Sequence, residues 1–206
     1  MTVSERDNVT RWDGRRRGFY EVYYLKVNDL VSGTALWVRY TLLAPQREHG
    51  GPVAELWAIF FDRNDPARNL ALKRTYPAVR ATIGRDPFCF RVGEAVLRHH
   101  RAGGGLADEA GSITWDLAWE PSRETFYHLP RPALYQGGFP KTKVLAPNLS
   151  VRMQGAYSVN GVTYHLENAP GHQAHLWGTR QGRRWTWGNC SAFVEDPTAV
   201  FEGLSA

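Results

Sequence analysis

The segment 151–166 constrains the fold of this chain most, because apolar residues alternate with polar ones on both sides of a turn signal. That signal is Asn160-Gly161, a dipeptide that supplies both positive φ angles of a two-residue type I′ turn. Such a turn pairs Val159 with Val162 and places the apolar side chains of both strands on one face. The sequence therefore predicts an antiparallel β-hairpin at this position.

Period-two alternation also runs through most of the remaining chain, and no long segment shows helical spacing. Strand-like runs separated by turn residues cover 19–27, 35–44, 53–63, 70–76, 86–93, 94–101 and 113–119. The proline-rich segment 121–148 predicts a long irregular crossing before the last hairpins. These patterns predict an all-β fold, either an antiparallel sandwich or a barrel, and a barrel of roughly eight to ten strands could enclose one ligand.

The formal net charge of +5 and the pI of about 9.4 raise the question of a polyanionic partner. Only Arg15-Arg16-Arg17 forms a basic run. We expect residues 1–17 to be a basic, flexible leader and residues 18–206 to be a single barrel domain. The start lacks an apolar secretory core, and no stretch approaches the ~18–20 apolar residues that a membrane helix needs.

The two cysteines, Cys89 and Cys190, belong to no CxxC pair and cannot staple a domain of this size. Free thiols are typical of a reducing compartment, so we expect a cytoplasmic protein.

Several stretches in this order resemble a known group of barrel proteins. They are RGFYEVYYLKVND at 17–29, ALWVRYTL at 35–42, FPKTK at 139–143 and the late motif Gln173-x-His175-x-Trp177-Gly178 followed by Trp185-x-Trp187. The combination is similar to the lipocalin-like (calycin) superfamily of carotenoid hydratases, tocopherol cyclase-like proteins and AttH-type proteins. In that superfamily the late motif reads H-N-W-G or H-N-Y-G, and Leu176 replaces the Asn here.

This resemblance implies an all-β, antiparallel calycin or lipocalin-like β-barrel. Members of the superfamily contain two such barrels side by side, and this chain resembles the N-terminal one. A second calycin barrel or a homodimer is therefore left open as a partner.

Glu21 lies on an otherwise apolar face of the first predicted strand. A carboxylate there must be paired or hydrogen-bonded, or burial raises its pKa. If the first hairpin pairs Val27 with Thr34, Glu21 faces Tyr40 and forms a proton-handling pair. A slip of one residue instead places Glu21 opposite Arg39 and gives a structural salt bridge. The sequence leaves both registers open.

Two sets of alternating residues in 171–190 each share a strand face: Gln173, His175 and Trp177, then Trp185, Trp187 and Asn189. The turn between them does not fix whether the two sets face each other. If they do, aromatic rings surround an imidazole that titrates near neutrality. The resemblance implies that His175 and Trp177 lie beside a cavity, as the analogous residues do in a carotenoid hydratase. The alternative is that the tryptophans close the barrel and His175 is a hydrogen-bonded core residue.

The sequence gives no support for a metal, a cofactor or nucleic acid. His172 and His175 point to opposite faces of a strand and cannot chelate one ion, and the adjacent His99-His100 cannot either. Arg180, Arg183 and Arg184 alternate with tryptophans as in a single-strand-binding barrel, but the chain is long for that fold. Acidic residues are also nearly as many as basic ones, 20 against 25. We therefore expect no metal, no cofactor, no nucleic acid and no integral membrane segment.

The function predicted from the sequence is binding of an apolar small molecule, an isoprenoid, lipid or polyketide, inside the barrel. An alternative is a hydratase, cyclase or pericyclase (Diels-Alderase-like) that acts on this ligand, with Glu21, Tyr40 and His175 as acid-base groups. A third reading is a non-catalytic interaction module whose barrel is plugged by its own side chains. The predicted ligand-binding residues are Tyr23, Trp37, Trp57, Trp115, Gln173, Trp177, Trp185, Trp187 and Asn189.

Overall fold

The computed structural model describes residues 2–180, 182 and 184–205. A short helix, α1 (Val3–Asn8), precedes the strands β1 (Phe19–Asp29), β2 (Thr34–Ala44), β3 (Val53–Asp62), β4 (Leu70–Pro77), β5 (Ala81–Arg85), β6 (Phe88–Val92), β7 (Ala95–Arg98), β8 (Arg101–Asp108), β9 (Gly111–Trp119), β10 (Phe126–Tyr127), β11 (Thr142–Val159), β12 (Val162–Gly178), β13 (Thr186–Cys190) and β14 (Phe201–Ser205). Single 3-10 turns cover Arg47–His49, Pro66–Arg68, Ala78–Arg80 and Pro132–Tyr135. Among the described residues, no helix has the length and apolar character needed to cross a bilayer.

One antiparallel sheet forms most of the protein. Its strands follow the order β4-β3-β2-β1-β12-β11-β9-β8-β7-β6-β5, and β10 adds to β11. The two ends of this order are joined by the short turn Ala78–Arg80, and Arg74 on β4 donates to the backbone carbonyl of Ala107 on β8 at 2.6 Å. The sheet is thus a nearly closed barrel, which confirms the predicted fold class.

The hairpin predicted at Asn160-Gly161 is confirmed residue by residue. Val159 pairs with Val162, and Tyr157 pairs with Tyr164. Both turn residues have positive φ, 50° at Asn160 and 83° at Gly161, as a type I′ turn requires.

The barrel interior is filled by side chains. Inward residues of strands all around the barrel, such as Leu25, Val38, Phe60, Phe90 and Leu117, are 0% exposed and belong to one continuous core. This core leaves the predicted ligand cavity inside the barrel occupied by the protein's own residues.

The small sheet β13–β14 is separate from the barrel and lies against its outer surface. β1 is therefore buried on both faces along most of its length, whereas β3 alternates between buried and half-buried residues. The candidate ligand site described below lies on this outer face of β1, beside the small sheet that covers it.

Two local expectations differ from the structure. The irregular crossing is shorter than 121–148, because β11 already begins at Thr142. Part of the 1–17 segment, expected to be a flexible leader, is ordered against the barrel: Ser4 and Asn8 of α1 are 0% exposed and Thr10 is 7% exposed. The sequence concealed this packing because most of the contacts are made by polar side chains, with Trp12 as the apolar residue that packs against the core.

Candidate functional site

The first candidate site is a buried pair of side chains, Glu21 on β1 and His175 on β12. The Nε2 atom of His175 lies 2.8 Å from Oε1 of Glu21, and neither side chain is more than 1% exposed. Tyr23 stacks on the imidazole with ring centroids 4.2 Å apart and donates its hydroxyl to the same carboxylate at 3.1 Å. Two of the three acid-base groups predicted from the sequence are therefore in direct contact.

The neighbours of His175 fix its charge. Its Nδ1 atom faces the backbone carbonyl of Asp7 at 2.8 Å, and its Nε2 atom faces the carboxylate of Glu21. Both neighbours are hydrogen-bond acceptors, so both ring nitrogens must donate, and an imidazole with two N–H groups is a cation. The pair is thus an imidazolium–carboxylate ion pair.

Residues 7–12 close over this pair. Thr10 donates its hydroxyl to Oε2 of Glu21 at 2.6 Å. The backbone N–H groups of Arg11 and Trp12 donate to the same carboxylate at 2.6 and 3.0 Å. Because these donors occupy the open side of the carboxylate, the ion pair has no free face for a substrate in this conformation.

Burial and hydrogen bonding act in opposite directions on Glu21. Burial raises the pKa of its carboxyl, but the hydrogen bond and charge of His175, together with the donors of Thr10 and Arg11, bring the net pKa below its ordinary value. Burial and the neighbouring Glu21 charge raise the pKa of Tyr23 well above its ordinary value. At neutral pH the carboxylate is charged and the phenol is neutral.

Tyr40, the third predicted acid-base residue, does not contact Glu21. The first hairpin pairs Glu21 with Leu42 and Tyr23 with Tyr40, so neither register considered from the sequence is correct. The hydroxyl of Tyr40 donates to the backbone carbonyl of Val96 at 3.3 Å, and burial raises its pKa. Tyr40 lies within the filled barrel core.

The structure defines which face of the barrel wall each of the two alternating sets in 171–190 occupies. Gln173, His175 and Trp177 share the inner face of β12, since they pair with the inward residues of β1. Trp187 instead packs on the outer face, with its ring centroid 5.2 Å from that of Tyr24. Trp185 is 63% exposed. The two sets therefore lie on opposite faces of the barrel wall, and the aromatic wall around His175 that one reading expected does not form.

The Trp187 side of the wall contains an apolar groove with a volume of about 380 Å³. The outward faces of β1, β2 and β3 form its floor, and β13–β14 with the preceding residues cover one side. Its lining residues are mostly aromatic or aliphatic: Tyr20, Val22, Tyr24, Trp37, Leu43, Trp57, Val144, Leu176, Trp185, Trp187 and Leu204, joined by Arg39, Thr41, Glu55, Thr142 and Gly182.

A polar cluster that the sequence reasoning missed lies at the β13–β14 end of this groove. Glu202 accepts from Trp187 Nε1 at 2.9 Å, from Asn189 Nδ2 at 2.8 Å and lies 3.1 Å from Nε2 of His128. His172 lies next to Trp187, with ring centroids 5.7 Å apart. Burial lowers the pKa of His172 to about 4, so its imidazole is neutral at pH 7. Glu202 follows Asn189 by 13 residues and shares no motif with it, so the sequence did not indicate that the two side chains would meet.

The structure divides the predicted ligand-binding residues into two groups. Those that line the groove are Trp37, Trp57, Trp185 and Trp187. Those on the inner side of the wall, buried and away from the groove, are Tyr23, Trp115, Gln173 and Trp177. Asn189 belongs to neither group, because its amide is held by Glu202. Within the described residues, no three His, Cys, Asp or Glu side chains come together as metal ligands.

No protein-family model matches the chain. An uncharacterized protein of Mycobacterium tuberculosis, present in two strains, is 27% identical over 179 residues, which are 87% of this chain and 51% of that protein. The chain thus spans about half the length of the curated relatives it matches.

Two solved structures extend this comparison. An AttH protein of Nitrosomonas europaea has a TM-score of 0.55 at 13% identity, over 82% of this chain and 56% of that one. Kievitone hydratase of Nectria haematococca has a TM-score of 0.45 at 13% identity, over 82% and 51% of the two chains. The likeness to the AttH protein confirms the lipocalin-like barrel fold that the sequence predicted.

Proposed function

We propose that this protein binds an apolar small molecule, flat or polyene-like, in the outer groove between β1–β3 and the β13–β14 sheet. The observation that carries this proposal is the convergence of Trp37, Trp57, Trp185 and Trp187, which come from three separate parts of the chain, on one groove. Ligand sites are typically concave, mostly apolar and supplied with a few polar groups that set orientation. Indole rings add a large contact area with little conformational entropy to lose.

The filled barrel core supports the placement of the ligand outside the barrel. Side chains such as Leu36, Leu56 and Phe90 are at most 1% exposed, and insertion of a ligand among them would require the core to be displaced. Trp185, by contrast, is 63% exposed, so its indole ring can bury further surface against a ligand in the groove. Burial of apolar surface at about 25 cal/mol per Å² then favours binding in the groove.

The enzymatic alternative relies on Glu21, Tyr40 and His175. A general acid or base must come within hydrogen-bond distance of the group that it serves. Residues 7–12 occupy that position at Glu21, and Tyr40 is enclosed at 0% exposure. Catalysis by these residues would require the N-terminal segment to be released, so ligand binding is the function we propose.

The test uses anthracene methanol, a neutral, flat and fluorescent probe. We expect saturable binding, weakened roughly tenfold in Trp37→Ala and in Trp57→Ala through the loss of aromatic contact. Trp119→Phe is the matched control: this indole lies in the barrel core, and its Nε1 atom has no hydrogen-bond partner in the part of the chain that the structure describes. Binding that fails altogether, or that Trp119→Phe weakens as much as the groove variants do, would contradict the proposal.

A further inference from the structure

The groove contains one guanidinium group among its aromatic walls. Arg39 lies on β2 between Tyr24 of β1 and Trp57 of β3, and its side chain forms part of the groove floor. The Nε atom donates to Thr41 Oγ1 at 2.9 Å, and Cζ lies 5.8 Å from the Trp57 ring centroid. These contacts hold the side chain along the floor.

The hydrogen-bonding capacity of Arg39 is mostly unused. Apart from the Nε bond, none of the described residues places an acceptor within hydrogen-bond distance of either Nη atom. The residue is half-buried. Burial lowers the pKa of Arg39, while the charge of Glu55 opposes this. A guanidinium nevertheless stays charged at any pH at which the protein is folded. It is therefore a cation in an apolar site whose two Nη groups have no acceptor among the described residues.

The carboxylate of Glu55, which also lines the groove and acts on Arg39, is already paired with another group. Glu55 accepts from Lys73 Nζ at 2.6 Å and from Trp57 Nε1 at 3.2 Å. It forms no ion pair with Arg39 within 4 Å among the described residues. Lys73 also lies 4.6 Å from the Trp57 ring centroid, outside the part of the floor that Arg39 forms. Arg39 thus has no ion-pair partner within 4 Å among the described residues.

We propose that the groove takes an apolar small molecule that carries a carboxylate, and that Arg39 binds this carboxylate through its two Nη groups. This inference rests on the proposed function and specifies its ligand class. A guanidinium presents parallel N–H groups whose spacing matches the two oxygens of a carboxylate. The indole rings of Trp37, Trp57 and Trp187 then contact the apolar body of the ligand.

Arg39 is a binding residue in this proposal. Among the described residues, its side chain donates a hydrogen bond to Thr41 alone, and both side chains lie on the outer face of β2. Methionine at position 39 would keep the apolar stem and remove the charge. The Arg39→Met variant therefore separates charge recognition from packing.

The experiment compares two fluorescent ligands of nearly equal shape, anthracene carboxylate and anthracene methanol. For the unaltered protein we expect the carboxylate to bind at least roughly tenfold more tightly, since charge-assisted hydrogen bonds are about twice as strong as neutral ones. Arg39→Met should remove that advantage and leave the affinity for anthracene methanol within about twofold. Arg39→Lys should restore only part of it, because lysine lacks the planar pair of donors.

Arg91→Met, at an exposed position of β6 on a distant part of the sheet, is the matched control and should change neither affinity. Thermal unfolding of each variant verifies that it folds. Equal binding of the two ligands by the unaltered protein, or an Arg39→Met variant that keeps the preference, overturns the carboxylate inference while the proposed function stands. Failure of both ligands to bind overturns both.

Discussion

Asn8 and Gln173 exchange two hydrogen bonds although they are 165 residues apart in the chain. Nδ2 of Asn8 donates to Oε1 of Gln173 at 3.2 Å, and Nε2 of Gln173 donates to Oδ1 of Asn8 at 2.8 Å. Both side chains are 0% exposed. These two hydrogen bonds connect helix α1 to the inner face of β12.

The first prediction concerns this amide pair. Asn8→Ala leaves the buried Nδ1 atom of His99, which Asn8 contacts at 2.9 Å, without a partner among the described residues, and leaves Nε2 of Gln173 with only a 3.3 Å bond to the carbonyl of Ala174. We expect a loss of about 2–3 kcal/mol in the free energy of unfolding, the cost of orphaned buried polar groups. Urea unfolding followed by circular dichroism measures it. Arg6→Ala, on the exposed side of the same helix, serves as the control, and equal effects of the two substitutions would show that α1 is not fastened in this way.

The second prediction concerns the ion pair beneath α1. Glu21→Gln keeps the shape of the side chain but leaves the His175 cation without its counter-charge at 0% exposure. Breaking one half of a buried pair costs about 3–5 kcal/mol. Thermal or urea unfolding provides the measurement, with Glu48→Gln at the surface as its control, where the side chain is 68% exposed. A loss below about 1 kcal/mol would mean that the pair is not needed for folding.

The third prediction is a pH dependence that originates at His172. Its pKa is lowered by burial from 6.5 to about 4 in the folded protein, so the unfolded chain binds more protons between these two values. Stability therefore falls as the pH falls from about 6.5 to about 4, by up to about 3 kcal/mol. The lowered pKa of Glu21 also makes stability fall as the pH falls, but at lower pH values. The stabilisation from this carboxylate is lost only as the pH falls below the ordinary carboxyl range.

His172→Phe tests the assignment, because phenylalanine keeps an aromatic ring beside Tyr24 and Trp187 and cannot titrate. The free energy of unfolding, measured in urea at several pH values, should vary less steeply in this variant over the same interval. His49→Gln, at a side chain 71% exposed, should keep the slope of the unaltered protein. An unchanged slope in His172→Phe would assign the pH dependence to another group.

Local chemistry was sufficient to predict some elements and not others. Asn160-Gly161 determined its hairpin because both required φ angles come from two adjacent residues. Neither register left open for the first hairpin is the observed one, and the register that pairs Glu21 with Tyr40 is two residues out. The loop is set by the carboxylate of Asp29, which accepts from the backbone N–H groups of Val31 and Ser32. A shift of two residues preserves the side-chain faces, so the register that paired Glu21 with Tyr40 put both on the correct face, but the structure does not bring them into contact.

The remaining misses depend on tertiary packing. A six-residue helix such as α1 is too short to show a periodicity, and its contacts are polar. The position of Trp187 on the outer wall depends on how β13 leaves β12, which no residue in the intervening turn specifies. The sequence thus identified the tryptophans of the groove but could not place the groove outside the barrel.

The fourth prediction concerns a close approach of two strands that shapes the barrel wall. Gly155 on β11 has φ +120°, and a Cβ atom there would collide with the backbone carbonyl oxygen of Asp116 on β9. The pairing of β11 with β12 also shifts register between Met153 and Gly155, which is a bulge-type irregularity. Gly155→Ala should therefore cost at least about 2 kcal/mol in the free energy of unfolding, from backbone strain and steric overlap together. Gly51→Ala, where nothing lies within 4 Å, should change stability by less than about 0.5 kcal/mol. Urea unfolding of the two variants makes the comparison, and an unaltered midpoint in Gly155→Ala would show that the two strands can separate at this point without cost.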